Sequence, residues 1–500
     1  MRAGGETSGN LISDKLLLVG SGLFGQVLRI VTFLVMGRLI ANEAFGVWDL
    51  MLATTGMLGF GDLLLPRSMV SVRDRPEKEV IATTMGLGIL LYCFYALVTL
   101  CAGAWLAWKY DKIAFFHIAA MWASSQVITM AYNLQLSLLN RRMQFKHEAL
   151  ASTVSSTCGS LSAIGMAFGG FQVYALAGQS LVAGAIGLSI TCWMLGPPRI
   201  QGATFGAVKY LTKQGIKASV TVYAMNLQNG GVRWIIETIG GLHAVGIWGR
   251  VIGVNQLFAQ NIIATLERVS FTMMCGATGD PKRFREVMHE SVCIQLAITA
   301  FTGAWMFAGC ENLVLATIGP SWMDVPPLLK WLAMTVPIAA ISNTGYLALF
   351  AMGRMWTLAS VAVVEMVVSL TLVFLVRHQG MEAIAIAWSV SRVIVGMGMY
   401  IVACRVCGGG ARKVLGTTAI LLAMAAVAGF VMVLLQPRLE SQILLLITAN
   451  VPTFLKNVLV NGGALGFASV AAVCIYGSLL VLLQPKLFAR IRQLSLRKRG

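Results

Sequence analysis

The chain has 500 residues, of which 57% are hydrophobic and only 12% charged, and its mean hydropathy is +0.77. A soluble domain carries roughly twice that share of charge, so the main solvent must be lipid, and a soluble multidomain enzyme, a disulfide scaffold, a disordered chain and a collagen are excluded. The formal net charge is +18; in a lipid-solvated chain this points first to cytoplasmic loops beside anionic headgroups and only then to nucleic acid.

A helix crosses hydrocarbon in about 20 residues. Apolar runs of that length predict fourteen spans, at 16–40, 46–66, 80–107, 113–138, 149–169, 173–195, 218–239, 244–272, 287–309, 327–350, 356–376, 381–404, 414–435 and 461–484. The fold class expected is an all-α polytopic membrane protein. The seventh span is unusually polar, and 436–460 reads either as a loop or as an interfacial helix. The first run begins near Lys15, contains Arg29 and lacks a small-x-small cleavage site, which predicts a retained span rather than a signal peptide. An even number of spans puts both termini on one side. Of the 38 Lys and Arg, 26 fall in the tails and loops of that side, six in the opposite loops and six within spans. Cations collect on the cytoplasmic side, so both termini are expected there.

The chain also echoes itself. Ala44-Phe45-Gly46-Val47-Trp48 returns as Ala244-Val245-Gly246-Ile247-Trp248, 200 residues on. Arg142-Met143 is matched by Arg354-Met355, and Gly170-Phe171 with Ala175-Leu176-Ala177 by Gly380-Met381 with Ala385-Ile386-Ala387. These echoes predict two six-helix lobes of like orientation, 1–200 and 201–413, with the substrate path between them. Residues 414–500 add two helices and a basic tail.

No enzyme constellation is present. There is no P-loop, no HExxH and no Gly-x-Ser-x-Gly elbow, so no catalytic residue, metal ligand or cofactor is assigned. The ten cysteines lie mostly in apolar runs, where a thiol is a small hydrophobe; Cys404-Arg-Val-Cys407 lacks the partners of a zinc or redox site.

What remains is charge inside the membrane. A charged side chain at mid-bilayer costs about 2.5–3.5 kcal/mol even on the lenient insertion scale, so it must face a partner or water. Arg29 lies in the first span, Asp62 in the second, Glu365 in the eleventh and Arg392 in the twelfth. On the seventh, Asn226, Asn229, Arg233 and Glu237 follow i, i+3, i+7, i+11, one helix face. Arg250, Asn255, Gln256 and Gln260 run down the eighth. Such a stripe either faces a wet cavity or pairs between helices, with Arg233 meeting Glu237. Arginine and amides suit an anionic, hydrogen-bonding ligand, because the guanidinium fork matches phosphate oxygens. The candidate binding residues are Arg29, Arg233, Arg250, Asn226, Asn229, Asn255, Gln256 and Gln260; the candidate ion-coupling carboxylates are Asp62, Glu237 and Glu365.

Three segments carry a family resemblance. Gly37-Arg38-Leu39-Ile40-Ala41-Asn42-Glu43-Ala44-Phe45-Gly46 resembles the "aRlL-x-x-x-x-fG" signature of polysaccharide flippases, and Leu139-Asn140-Arg141-Arg142-Met143-Gln144-Phe145-Lys146 their "L-x-R-x-m-x-F" loop. Gly170-Phe171-Gln172-Val173-Tyr174-Ala175-Leu176 is similar to their "G-x-G-x-x-aL" turn, with Gln172 in place of the second glycine. The resemblance implies the oligosaccharide-flippase branch of the multidrug/oligosaccharidyl-lipid/polysaccharide (MOP) exporter superfamily. It implies a two-lobed fourteen-helix fold and alternating access in a bacterial inner membrane. The implied substrate is a polyprenyl-diphosphate-linked oligosaccharide, carried to the periplasmic leaflet for O-antigen, capsule or exopolysaccharide. Arg29 is the position that best matches the family's cavity arginines, membrane lipid and a polysaccharide polymerase are the implied partners, and no nucleic acid is. A cation-coupled drug exporter of the same superfamily is the main rival; it would present net negative charge to its cavity, whereas the mid-span cations here are no fewer than the acids. A membrane glycosyltransferase or polymerase would need a large catalytic loop that the chain does not offer.

Overall fold

The computed structural model describes residues 8–59, 65, 77–197, 205–407, 412–446, 453–485 and 487. The chain divides into two compact units, Met1–Trp234 and Ile235–Gly500. Among the described residues each predicted span lies mainly on a helix, the seventh and the start of the eighth sharing one. Unit 1 holds α1 (Ser8–Leu39), α2 (Asn42–Leu58), α3 (Glu77–Tyr110), α4 (Ala114–Arg141), α5 (Phe145–Phe168), α6 (Val173–Leu195) and the first part of α7 (Phe205–Asn255). Beyond α7, unit 2 continues through a π turn (Gln256–Gln260), α8 (Asn261–Gly276), α9 (Pro281–Ala308) and the short α10 (Cys310–Thr317). It is completed by α11 (Val325–Ala351), α12 (Met355–Leu375), α13 (Met381–Cys407), α14 (Arg412–Leu446) and α15 (Thr453–Leu483). Among the described residues, ten stretches are long and apolar enough to cross a membrane, and no strand occurs. The protein is an all-α polytopic membrane protein.

α5 is not one of the ten, because serine and threonine crowd it. Several of its hydroxyls are nonetheless bonded to protein carbonyls, although Thr153 Oγ1 is buried without a partner among the described residues. Thr157 donates to the Thr153 carbonyl at 2.7 Å and Ser162 to that of Gly159 at 2.8 Å, the local back-bonding open to these side chains. Ser155 instead reaches across to the Ala183 carbonyl of α6 at 2.7 Å. A polar helix is thereby tolerated in lipid, packed between α1 and α6.

The same pairing of helices recurs within each unit. In unit 1, α3 packs on α4, α4 on α6 and α5 on α6; in unit 2, α9 packs on α11, α11 on α13 and α12 on α13. The closest approaches recur too. A Cβ on Gly103 of α3 would stand 2.2 Å from Ala119 Cβ of α4, and one on Gly303 of α9 would stand 2.7 Å from the Ala333 carbonyl of α11. Small residues let membrane helices approach to backbone contact. The break between α1 and α2, at Ile40-Ala41, has its counterpart in the bend of α7 at Gly241 (φ 62°, ψ −160°), which explains why the Phe45 and Val245 segments echo each other.

The other two echoes shift register. The Met143 N–H bonds the Asn140 carbonyl at 3.0 Å and the Gln144 N–H that of Leu139 at 2.9 Å; Gly353 and Arg354 make the same two bonds to Phe350 and Leu349 at 3.0 and 2.9 Å. Met143 (φ 58°) therefore corresponds to Gly353 (φ 69°), and the two Arg-Met pairs do not correspond. Likewise Gln172 (φ 45°), not Gly170, matches Gly380 (φ 96°) as the residue immediately before its helix.

Gln172 thus holds a backbone conformation that L residues rarely adopt, a strain of about 1–3 kcal/mol. Its side chain compensates: Oε1 accepts the N–H of Ala41, the residue just before α2, at 3.0 Å. The departure from the family's glycine exchanges backbone ease for a clasp on the α1–α2 break. Gln172→Ala is expected to lower the melting temperature in detergent, keeping the strain and losing the clasp. Gln172→Gly should lose the clasp, relieve the strain and melt near wild type. Equal losses in both would show that the clasp alone matters.

In unit 2, α14 does not stop where the apolar run ends; it continues through Pro437 to Leu446, so the first part of 436–460 is helix and neither loop nor separate interfacial element. α14 and α15 pack on each other and against α9 and α10. Trp305 Nε1 donates to Ser469 Oγ at 2.6 Å, and the Tyr476 hydroxyl to the Ala297 carbonyl at 2.7 Å. Indole and phenol donors placed in hydrocarbon must find acceptors, so these bonds fix how the last two helices seat.

Candidate functional site

A polar pocket lies inside unit 2. About 390 Å³ of space free of protein atoms is lined by Asn255, Gln260, Thr335, Ser342, Glu365 and Arg392, with Trp388 beside them. Much of that space is open to solvent, and the enclosed part has room for about one water molecule, so a sugar does not fit it in this conformation.

The π turn explains why Asn255 and Gln260 share this pocket. Five residues apart on an α-helix, they would point about 140° from each other. The run Gln256–Gln260 is instead π-helical, closing i→i+5, and such turns occur often at functional sites. The extra residue brings positions 255 and 260 toward one side, and Gln256 is exposed. Asn255 is buried at 6% exposure, and its Oδ1 makes no hydrogen bond among the described residues.

Across the pocket, Arg392 Nε stands 3.8 Å from Glu365 Oε1, with both side chains half-buried. This is an ion pair beyond hydrogen-bond reach, and the Nε is buried without a hydrogen-bond partner. The guanidinium lies over the Trp388 ring at 4.6 Å, and Trp388 meets Trp248 of α7 edge-on, with centroids 5.9 Å apart. At 3.8 Å the pair gains no hydrogen bond to offset the cost of carrying either charge to mid-membrane. Stability does not account for them. Sequence reasoning placed Glu365 among the carboxylates and left Arg392 out of the site. A signal was present: Glu365 lies ten residues before the end of α12 and Arg392 eleven after the start of α13, which is equal depth on neighbouring antiparallel helices.

Among the described residues, none of the other candidates lines this pocket. Arg250, also on α7 in unit 2, is 9% exposed. Arg29 on α1 is exposed. Asp62 lies outside the described residues. On α7, Asn226 and Arg233 in unit 1 and Glu237 in unit 2 are half-buried, and Asn229 is exposed. Among the described residues, the Arg233 Nε and the Gln228 Nε2 are buried without hydrogen-bond partners.

In unit 1, α7 is seated on α2 and α3. A Cβ on Gly230 would meet Met57 Cγ at 2.3 Å and the Ala53 carbonyl at 2.9 Å. One turn on, Trp234 Nε1 donates to Thr54 Oγ1 at 3.2 Å. Its ring lies against Trp105, with centroids 5.7 Å apart, and carries the Lys109 ammonium 4.4 Å above it. This seat was not foreseen; only the small residue at 230 hinted at it.

Among the described residues no three His, Cys, Asp or Glu side chains are grouped to hold a metal ion. Guanidinium groups, amides and a polar pocket within a membrane-spanning bundle can hold a polar, anionic ligand. The chain belongs to the polysaccharide biosynthesis protein family, whose model matches residues 35–327. It is 22% identical over 336 residues to the succinoglycan biosynthesis transport protein ExoT of Rhizobium meliloti (strain 1021); the match spans 66% of each chain. Its fold is similar to those of two solved transporters. An inward-facing multidrug resistance MATE transporter is similar with TM-score 0.63 and 13% identity, over 77% of this chain and 94% of that one. The lipid II flippase MurJ in an inward closed conformation is similar with TM-score 0.61 and 12% identity, over 92% of this chain and 99% of that one.

Proposed function

We propose that the protein is a flippase that moves polyprenyl-diphosphate-linked oligosaccharide repeat units from the cytoplasmic to the periplasmic leaflet of a bacterial inner membrane, supplying a surface polysaccharide. The observation that carries this reading is the set of guanidinium and amide side chains at membrane depth in a chain of the polysaccharide biosynthesis family. Moving a diphosphate and sugars past hydrocarbon requires replacing their water, and Arg29, Arg233 and Arg250 supply cationic hydrogen-bond donors suited to the diphosphate. Asn226, Asn229, Asn255, Gln256 and Gln260 offer donors and acceptors to sugar hydroxyls. The polyprenyl tail needs no such help and can stay in lipid. The cation bias of the loops orients both termini to the cytoplasm, and a polysaccharide polymerase is the partner that consumes the product. Asp62, Glu237 and Glu365 are the candidates for coupling to an ion gradient. The protein performs no bond chemistry itself.

A cation-coupled drug exporter would use the same fold. The two readings separate in a deletion strain. The flippase reading expects loss of surface polymer, with lipid-linked repeat units accumulating on the cytoplasmic leaflet and drug susceptibility unchanged. Normal polymer together with raised susceptibility to cationic drugs would reverse the assignment.

A further inference from the structure

We infer that Arg392 is a further anion-binding residue of the transport site, and that Glu365 is its built-in competitor, occupying the guanidinium when substrate is absent and displacing the substrate's anionic group at release. This rests on the flippase reading of the same site.

The geometry is that of an exchangeable partner. A carboxylate fixed to a guanidinium for structural reasons takes two short parallel bonds. Here Glu365 Oε1 stays 3.8 Å from Arg392 Nε, close enough for attraction and too far for a hydrogen bond. The Nε is left buried without a partner, a donor still to be satisfied. The guanidinium is held from another direction, over the Trp388 face at 4.6 Å, and Trp388 is itself only 4% exposed and braced by Trp248. Arg392 is therefore positioned by aromatic packing independently of Glu365, so the carboxylate can leave without the guanidinium losing its place. The pocket also carries an unsatisfied acceptor, Asn255 Oδ1, which suits a hydroxyl beside the anionic group. A site that must both take and release a diphosphate cannot bind it too tightly. A tethered carboxylate lowers net affinity, at a local concentration no free anion reaches.

Glu365 then belongs to substrate release, which leaves Asp62 and Glu237 as the coupling candidates. The role also explains a carboxylate that contributes little to stability and is costly at this depth.

The test uses full-length protein in lipid nanodiscs titrated with polyprenyl diphosphate, alongside surface-polymer output from the same variants in cells. Glu365→Gln should bind the probe at least tenfold more tightly than wild type while polymer output falls, because release slows. Arg392→Gln should bind at least tenfold more weakly. The double variant should bind like Arg392→Gln alone, since the competitor has nothing left to compete for. Glu365→Asp, whose shorter side chain draws the carboxylate back, should bind with intermediate affinity and guards against misfolding of the first variant. If Glu365→Gln and Glu365→Asp bind no more tightly than wild type, or if Glu365→Gln tightens binding equally in the Arg392→Gln background, the competitor role is wrong. If the wild-type protein does not bind polyprenyl diphosphate at all, the flippase reading fails as well.

Discussion

Joint replacement of Arg29 and Arg250 by alanine is expected to abolish surface polymer while the protein still inserts in the membrane. The two arginines differ in setting, and that separates binding from folding. Arg29 is exposed, so its loss should leave stability unchanged within about 0.5 kcal/mol. Arg250 is 9% exposed, and its truncation should cost roughly 0.5–3 kcal/mol, the usual span for a buried site. Arg250→Lys keeps the charge and gives up the planar fork. It should insert normally and still cut polymer output at least tenfold. Membrane abundance by immunoblot and surface polymer by staining, measured in the same cells, check each arm. Normal polymer from the double alanine variant would remove the basis for phosphate recognition by these residues.

Gly230→Val should be as damaging by a different route. The helix α7 enters from unit 1, where Gly230 lies flush with α2, and continues past Trp234 into unit 2. A branched side chain at 230 would collide with the Ala53 carbonyl, a backbone atom that cannot step aside, as well as with the flexible Met57. Overpacking of this kind costs about 1–3 kcal/mol. It would also pull Trp234 from Thr54 and from the Trp105 ring. The expected result is lost transport with a lowered unfolding midpoint. Gly230→Ala, with the same Cβ and no branches, should show a smaller loss of both. A variant that melted normally and still made polymer would mean that the seat does not constrain α7.

The helices were legible because lipid imposes length and hydropathy on each span, and among the described residues every predicted span lies mainly on a helix. α5 was legible by length although its hydroxyls lower its hydropathy, since it sits between two loops with clear turn residues. The repeat was legible and its register was not. Letters suggested that Arg142-Met143 matched Arg354-Met355, while the backbone matches positions by conformation, putting Met143 with Gly353 and Gln172 with Gly380. Side-chain identity is a poor guide where a turn selects for φ. Part of the site was legible: mid-span charge singled out Glu365, and polarity singled out Asn255 and Gln260. Their convergence was not, because it depends on a π turn that nothing in Gln-Leu-Phe-Ala-Gln announces, and on depth matching between α12 and α13.

That turn has a consequence for motion. An i→i+5 closure is one surplus residue stored in a hydrogen-bonded cylinder. The surplus can migrate, one carbonyl at a time, with each bond broken replaced by the next. As it passes, the stretch it leaves behind swivels by about 100° and no peptide group is bared to oil. The wall formed by Asn255 and Gln260 could thus be rotated out of alignment and back again, with the rod that carries it neither melting nor hinging.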